Sequence, residues 1–436
     1  MKVRILISLC LVNALYACSI KSETASVKQV RESIHDSWNK TVRFNKTDSG
    51  TLIGLPFPYT VPCINNTFQE MYYWDTYFTN EGMIHDGRID LAKNNVNNML
   101  YLVEKYGKMP NGNRTYYTNR SQPPYLSMMV ASIYKKTSDK VWLKKAYGTL
   151  LKEYFFWMTQ RISPVGLNHY SSSADNKLIK EFIVTGSKRL GTDFTKKGLN
   201  KDQLTVLGRH LVAECESGWD FNPRFESRCE SFCPIDLNSN LYLYEINFAY
   251  FTQELGVKDS SEIWLEKAAH RKKLLKNYCY NKTDNLYYDY DYVNNKQSTV
   301  ISAAIFSLMY AKVVSEDDAK FLVKSLQKIE FEHGLSACED KDYHYQYQWS
   351  FPNSWPPLQY LAVIGLNNYN YKSDANRIAK KYVTMVANTY KTTGHLWEKY
   401  NVRKGNTDVT NEYEMPSMMG WTAGVFVCLS DFLNEK

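Results

Sequence analysis

Residues 27–38 read VKQVRESIHDSW, and the apolar positions in this stretch are Val27, Val30, Ile34 and Trp38. Steps of three and four put these side chains on one face of an α-helix, whereas a strand would need steps of two. The same spacing returns at Ile89–Tyr106, Pro124–Tyr134, Val141–Met158, Leu237–Leu255, Glu262–Leu275, Val300–Ala311, Asp317–Ile329, Trp355–Ile364, Ala375–Tyr390 and Trp421–Leu433. Ser315, with Asp318 three residues on, predicts a capping box at the start of one of these helices. Strand-like alternation is scarce, which argues against an α/β sheet. The chain is therefore expected to be all-α, with helices joined by alternately short and long loops and stacked as hairpins. No strict repeat, Pro-rich linker or low-complexity break divides it, so residues 26–436 read as a single domain. Long loops inside a compact domain are usually functional.

Composition narrows the function. The chain has 436 residues, 44% apolar and 22% charged, enough for a large core and unlike a disordered tail or a disulfide mini-protein. Lys and Arg (53) exceed Asp and Glu (45), a net charge of +8, but the charges are dispersed, so a nucleic-acid partner is not expected. The 34 Tyr and 10 Trp serve core packing and also suit a protein that stacks on flat ligands such as sugar rings. At the N-terminus, Lys2 and Arg4 precede an apolar stretch from Ile5 to Tyr16 that is too short to span a bilayer. It ends Leu15-Tyr16-Ala17-Cys18, which resembles a bacterial lipobox. Residues 1–18 are thus expected to be a signal peptide with Cys18 as the lipidation site and residues 19–25 as a short tether. The protein would then be exported, as a periplasmic or outer-membrane-anchored lipoprotein held to the membrane by its lipid alone, or alternatively secreted. Cys63, Cys215, Cys229, Cys233, Cys279, Cys338 and Cys428 remain, an odd number. One or two disulfides among Cys215, Cys229 and Cys233 fit an oxidising compartment, and no zinc-ligand spacing is present.

The loops between the helices place acidic residues beside Trp, Tyr, Asn and Gly instead of beside Lys. They are residues 68–75 (FQEMYYWD), 111–114 (NGNR), 119–124 (NRSQPP), 216–221 (ESGWDF), 348–349 (QW), 353–355 (NSW) and 397–400 (WEKY). A carboxyl beside a Trp is partly desolvated, which raises its pKa and lets it hold a proton for general acid catalysis. Sugar recognition draws on the same residue types, with Asp, Asn and Arg for hydroxyls and aromatics for ring faces. Any one such loop also reads as a solvated turn over a packed aromatic. Together they point to a carbohydrate site, with a disaccharide or short oligosaccharide as the small-molecule substrate.

In order, these loops resemble those of the trehalases, glycoside hydrolase family 37, from about Pro56 to Asp431. The carriers are PYTVPCINNTFQEMYYWDTYF (58–78), KMPNGNRTYYTNRSQPP (108–124), ESGWDFNPRF (216–225), PIDLNSNLYLYE (234–245), QWSFPNSWPPLQ (348–359), LWEKYNV (396–402) and EYEMPSMMGW (412–421). The resemblance implies an (α/α)6 toroid and an inverting glycosidase. Asp220 would be the general acid that protonates the glycosidic oxygen, and Glu398 the base that deprotonates the attacking water. Inverting sites hold these carboxyls roughly 6.5–9.5 Å apart. Phe68, Trp74, Asp75, Asn111, Arg120, Gln122, Gly218, Trp349 and Glu412 would bind the sugar, with Glu412 also helping to close the site. Arg224 would pair with the acid loop. Hydrolysing an acetal this way needs two carboxyls and water, so no metal or organic cofactor is implied. The bland alternatives are a helix N-cap for Asp220 and a surface ion pair with Lys399 for Glu398.

The departures fall mainly on substrate contacts. The family's Arg before Phe68 is replaced by Thr67, and its Arg-Pro-Glu run is absent from residues 166–190, where Lys180-Glu181 is a weak stand-in. Ser350 and Ser354 replace an Asp and a Gly. Asp408 to Asn411 replace glycines before Glu412, so that loop should close less freely, because non-Gly residues resist positive φ. Both carboxylates remain. The leading expectation is therefore trehalose hydrolysis. An exo-acting α-glucosidase for another α-linked gluco-oligosaccharide and a non-catalytic carbohydrate-binding lipoprotein are the alternatives.

Overall fold

The computed structural model describes residues 25–65 and 67–434; the leader, Cys18 and most of the tether lie outside them. Its helices are α1 (25–37), α2 (Tyr73–His85), α3 (Ile89–Tyr106), α4 (Leu126–Thr137), α5 (Lys140–Gln160), α6 (Asn176–Arg189), α7 (Lys201–Glu216) and α8 (Ile235–Glu254). They continue with α9 (Lys258–Cys279), α10 (Ile305–Tyr310), α11 (Glu316–Lys324), α12 (Leu326–Ile329), α13 (Pro356–Asn368), α14 (Lys372–Thr393) and α15 (Gly420–Asn434). The strands are two residues long and form small antiparallel ladders in the loops, such as Asn353–Ser354 paired with Tyr400–Asn401.

The helices form two nested rings. In the inner ring α2 packs on α4, α4 on α8, α8 on α10, α10 on α13, α13 on α15, and α15 returns to α2. Outside it, α3 lies against α2 and α4, α5 against α4 and α8, α9 against α8, α11 against α10, and α14 against α13 and α15. This is an (α/α)6 toroid.

Burial follows the layer. The inner α2 is buried without a break from Tyr73 to Asn80, as a helix with protein on every side must be. The outer α14 buries one stripe, with Ala375, Ile378, Ala379, Tyr382, Val383 and Val386 among its members. A buried carboxylate ties the layers together: Glu153 of α5 accepts from Tyr73 Oη at 2.7 Å and Tyr244 Oη at 2.6 Å, joining α5 to α2 and α8. The ring closes where α15 meets α2 at the closest possible approach. A Cβ on Gly424 would stand 2.0 Å from the carbonyl oxygen of Phe78, and one on Gly82 would stand 2.4 Å from Gly424 Cα.

Three expectations are corrected. Ser315 caps α11 by accepting from Asp318 N–H at 3.1 Å, but the reciprocal half of the box does not form. The Asp318 carboxylate is taken by Lys276 at 2.7 Å and Tyr287 at 2.9 Å instead. The helix expected from Val300 begins at Ile305, because residues 300–304 pair with the neighbouring loop through Ser302 and Cys338. Cys215, Cys229 and Cys233 form no disulfide. Each is a buried free thiol, and Cys215 and Cys233 contact separate acceptors, Leu211 O at 3.7 Å and Ser163 Oγ at 3.3 Å.

Candidate active site

The inner helices all begin at the same end of the toroid, and the segments leading into them carry the functional side chains. A cavity there is lined by Phe68, Tyr72, Trp74 and Asp75 before and in α2, and by Gln122 before α4. Gly218 and Asp220 come from the loop between α7 and α8. Gln348, Trp349 and Trp355 come from before α13, and Glu398, Tyr413, Met418 and Trp421 from before and in α15. Residues more than 300 positions apart thus meet because the ring brings helix N-termini together.

Its floor is indole. Trp349 and Trp355 stack with ring centroids 3.8 Å apart and planes 3° apart, and Trp219 stacks on Trp349 at 5.2 Å. Trp421 stands edge-on to Trp355 and Trp74, at 5.8 Å from each. Such a surface presents flat apolar faces and few competing donors, which suits the C–H face of a pyranose.

The loop that carries Asp220 is fixed from three directions. Glu216, fully buried, accepts from Arg161 Nε at 2.7 Å, from Ser121 N–H at 2.8 Å and from Ser171 N–H at 2.8 Å, tying this loop to the one that carries Gln122. Gly218 follows with φ of +71°, and a Cβ there would come within 2.8 Å of the Trp74 ring, so glycine permits both the turn and the close approach. Arg224 does not reach the cavity. It forks onto Asp236 and Asp289 at 2.8–3.0 Å and lies 4.5 Å from the Trp219 ring, bracing the loop from beneath.

Asp220 itself caps no helix; its side chain is 31% exposed, facing the cavity mouth. Burial raises its pKa, and Arg189 and Arg120 oppose that rise. On the other wall Glu398 is held at both oxygens, accepting from Lys399 Nζ at 2.7 Å and from Tyr413 Oη at 2.6 Å. The ion pair with Lys399 exists, but both partners are buried instead of lying on the surface. Trp421 Nε1 donates to the Glu398 carbonyl at 3.0 Å, fixing the backbone. Each carboxylate oxygen has two lone pairs, so Glu398 keeps acceptor capacity for a water. Asp75, in the first turn of α2, is pushed up to about 8, mainly by burial, with the charges of Glu398 and Asp220 adding to the rise.

Of the residues expected to bind substrate, Phe68, Trp74, Asp75, Gln122, Gly218 and Trp349 line the cavity with Asp220 and Glu398. Asn111, Arg120 and Glu412 stand outside its wall. Asn111 is used through its backbone, accepting from Tyr73 N–H at 3.0 Å and donating to Arg120 O at 3.1 Å. The Arg120 guanidinium lies 5.1 Å from the Tyr117 ring and 5.7 Å from that of Phe182. Glu412 is buried 3.3 Å from Arg189, and burial pushes it up to about 9. Tyr413, Lys399 and Arg189 were not among the expected site residues. Tyr413 and Lys399 carried a signal, since they adjoin Glu412 and Glu398. Arg189 carried none, because it comes from α6, in the stretch that departs from the family pattern.

Comparison with known proteins agrees with this architecture. Residues 13–434 match the family Trehalase. The chain is 30% identical over 429 residues to the periplasmic trehalase of Citrobacter koseri, covering 94% of this chain and 74% of that protein. It is 31% identical over 435 residues to that of Salmonella choleraesuis, covering 93% and 74%. Among solved structures, the neutral trehalase Nth1 of Saccharomyces cerevisiae superposes with a TM-score of 0.75 at 27% identity, covering 93% of this chain and 80% of that one. A GH63 mannosylglycerate hydrolase from Thermus thermophilus shares the fold at a TM-score of 0.61 and 14% identity, covering 91% of this chain and 99% of that one. With the match running over nearly the whole chain and the signature loops meeting at one cavity, this chain belongs to the Trehalase family.

Proposed function

We propose that this chain hydrolyses α,α-trehalose to two glucose molecules with inversion at the attacked carbon. The observation that carries the reading is the placement of Asp220 and Glu398 on one Trp-floored cavity, in a chain whose relatives are trehalases. Asp220, its pKa raised by burial, gives its proton to the bridging oxygen as the glycosidic bond breaks. Glu398, aimed by Lys399 and Tyr413, takes a proton from a water that attacks the anomeric carbon from the opposite face. Asp75 and Gln122 supply hydroxyl partners, and the indoles and Phe68 cover the apolar faces. Proton NMR during turnover tests this, with the β-anomer of glucose expected first from the attacked ring. Asp220→Asn and Glu398→Gln are each expected to lower turnover by about 10²–10⁴ with the fold intact. An initial signal from the α-anomer alone, or full activity in either variant, overturns the assignment.

The periplasmic relatives and the leader at residues 1–18 support export, and the LYAC sequence ending at Cys18 supports a lipid anchor on that thiol. Mass spectrometry of the mature protein is expected to show an acylated N-terminal Cys18. An unmodified N-terminus at another residue would remove the anchor.

A further inference from the structure

The helix α6 stands where the family's Arg-Pro-Glu run is missing, and it brings a cation to the acid side of the site. Asp175 starts it by accepting from Leu178 N–H at 2.8 Å. It packs on α7, the helix that leads directly into the acid loop. Phe182 and Arg189 are seven residues apart, two turns, and so share one face of α6. That face looks toward the site: the ring of Phe182 lies 5.7 Å from the Arg120 guanidinium. The Arg189 guanidinium lies 3.7 Å from Asp220 and 3.3 Å from Glu412, over the rings of Phe221 at 5.6 Å and Tyr413 at 6.0 Å.

Two features fit this arginine to a ligand. Its distances to both carboxylates exceed the 2.7–2.9 Å or so of a charge-assisted hydrogen bond, and its side chain is 28% exposed, so its donors are not saturated. The buried Glu412 opposite has both oxygens without a hydrogen-bond partner. A guanidinium with spare donors beside a carboxyl with spare acceptors is a matched pair for vicinal hydroxyls.

The side of the site follows from the chemistry. The attacked carbon must lie between Asp220 and Glu398, inside the cavity that both line. The glycosidic oxygen sits at Asp220, so the departing ring extends beyond that carboxyl. Arg189 and Glu412 contact each other there and are not among the cavity-lining residues. We infer that Arg189, with Glu412, holds the hydroxyls of the leaving sugar and selects substrates that carry a hydroxylated ring in that position. The inference rests on the glycosidase reading above and adds the residue that recognises the second ring.

The test compares substrates with and without that ring. Trehalose leaves a glucose, whereas α-glucosyl fluoride leaves one atom and fills only the inner cavity. Arg189→Gln is expected to lower the ratio of kcat/KM for trehalose to that for α-glucosyl fluoride at least about tenfold, the cost of a lost charged partner, through a raised KM and equally across the pH profile. A loss confined to a shifted acid limb would instead mark an effect on the neighbouring Asp220 and overturn the proposal. Arg189→Lys, which keeps the charge but not the fork, should recover part of the loss on trehalose alone. Equal losses on both substrates, or no loss on trehalose, overturn the proposal. If the wild type cleaves the fluoride and maltose or kojibiose but not trehalose, the trehalose assignment fails separately. Arg189→Gln must then still act selectively on whichever disaccharide is cleaved. Cleavage of no disaccharide overturns both.

Discussion

Asp75 shows how far a carboxyl lining the cavity can be from its stability optimum. In an unfolded chain an Asp titrates near 3.9 or so, while in the folded protein burial pushes this one up to about 8. Between those values the folded state binds a proton that the unfolded state has lost, so stability falls as pH rises. The contribution is complete below the unfolded pKa and is lost as pH rises through the folded one, where a buried carboxylate must be tolerated. Asp75→Asn removes that demand. The variant should gain stability relative to wild type at pH 8 compared with pH 5, measured as the shift in urea midpoint, while losing activity. A midpoint difference independent of pH would refute this. Glu412, pushed up to about 9, and Glu153, to about 7, bend the wild-type curve the same way, so Asp75→Asn removes only part of the slope. What the sequence showed at this scale was residue type in local context: Asp220 and Glu398 stand beside Trp219 and Trp397, and their loops have an unusual composition. It could not show Arg189 meeting Glu412, a contact between the end of α6 and a loop more than 200 residues on that nothing local aligns.

At the scale of the element, helices of both layers are legible: the inner α4, α8, α13 and α15 fall on apolar stretches read from the sequence, as the outer ones do. The outer helices α3, α5, α9 and α14 have a solvent side and a buried side, and their apolar spacing marks them within a few residues of their ends. The inner α2 was not anticipated. It is buried all round, and its run of Tyr, Trp, Asp and Thr has no periodic face to read. The hairpin α6–α7 was missed for another reason. Its signals were present, with Ile179 and Ile183 four apart behind Asp175, and Asn200 with Gln203 forming a complete capping box, but the polar composition hides them. Glycine at the α2–α15 seam makes a sharper prediction. Because a Cβ on Gly424 would meet the Phe78 carbonyl at 2.0 Å, and that oxygen belongs to a helix backbone that cannot turn aside, the two helices must part. Gly424→Ala should cost at least about 1–3 kcal/mol, the range for overpacking, seen as a lowered denaturant midpoint. An alanine tolerated without loss would show that the seam has slack.

At the scale of the molecule, closure of the ring governs how the chain holds together. In an open solenoid each hairpin touches only its sequence neighbours, so ends can fray and stability is close to a sum over repeats. Here the last helix, α15, packs against α2 as well as α13 and α14, so the two ends of the chain complete one another. Removing α15 would take away Trp421, Val425, Phe426 and Leu429, buried now, and expose the faces of α2, α13 and α14 on which α15 packs. It would also strip Trp421 from the cavity and from the Glu398 backbone. No subset of hairpins can bury the inner helices on every side. Residues 26–436 should therefore unfold as a unit despite their length. In urea, helix content by far-UV circular dichroism and tryptophan fluorescence, to which the indole cluster at the cavity contributes, should change in one coincident transition. A chain ending at residue 419 should give no such transition and should aggregate through its exposed inner face. Two separated transitions, or a truncated chain that keeps a native-like melt, would show that part of the toroid folds independently of its closure.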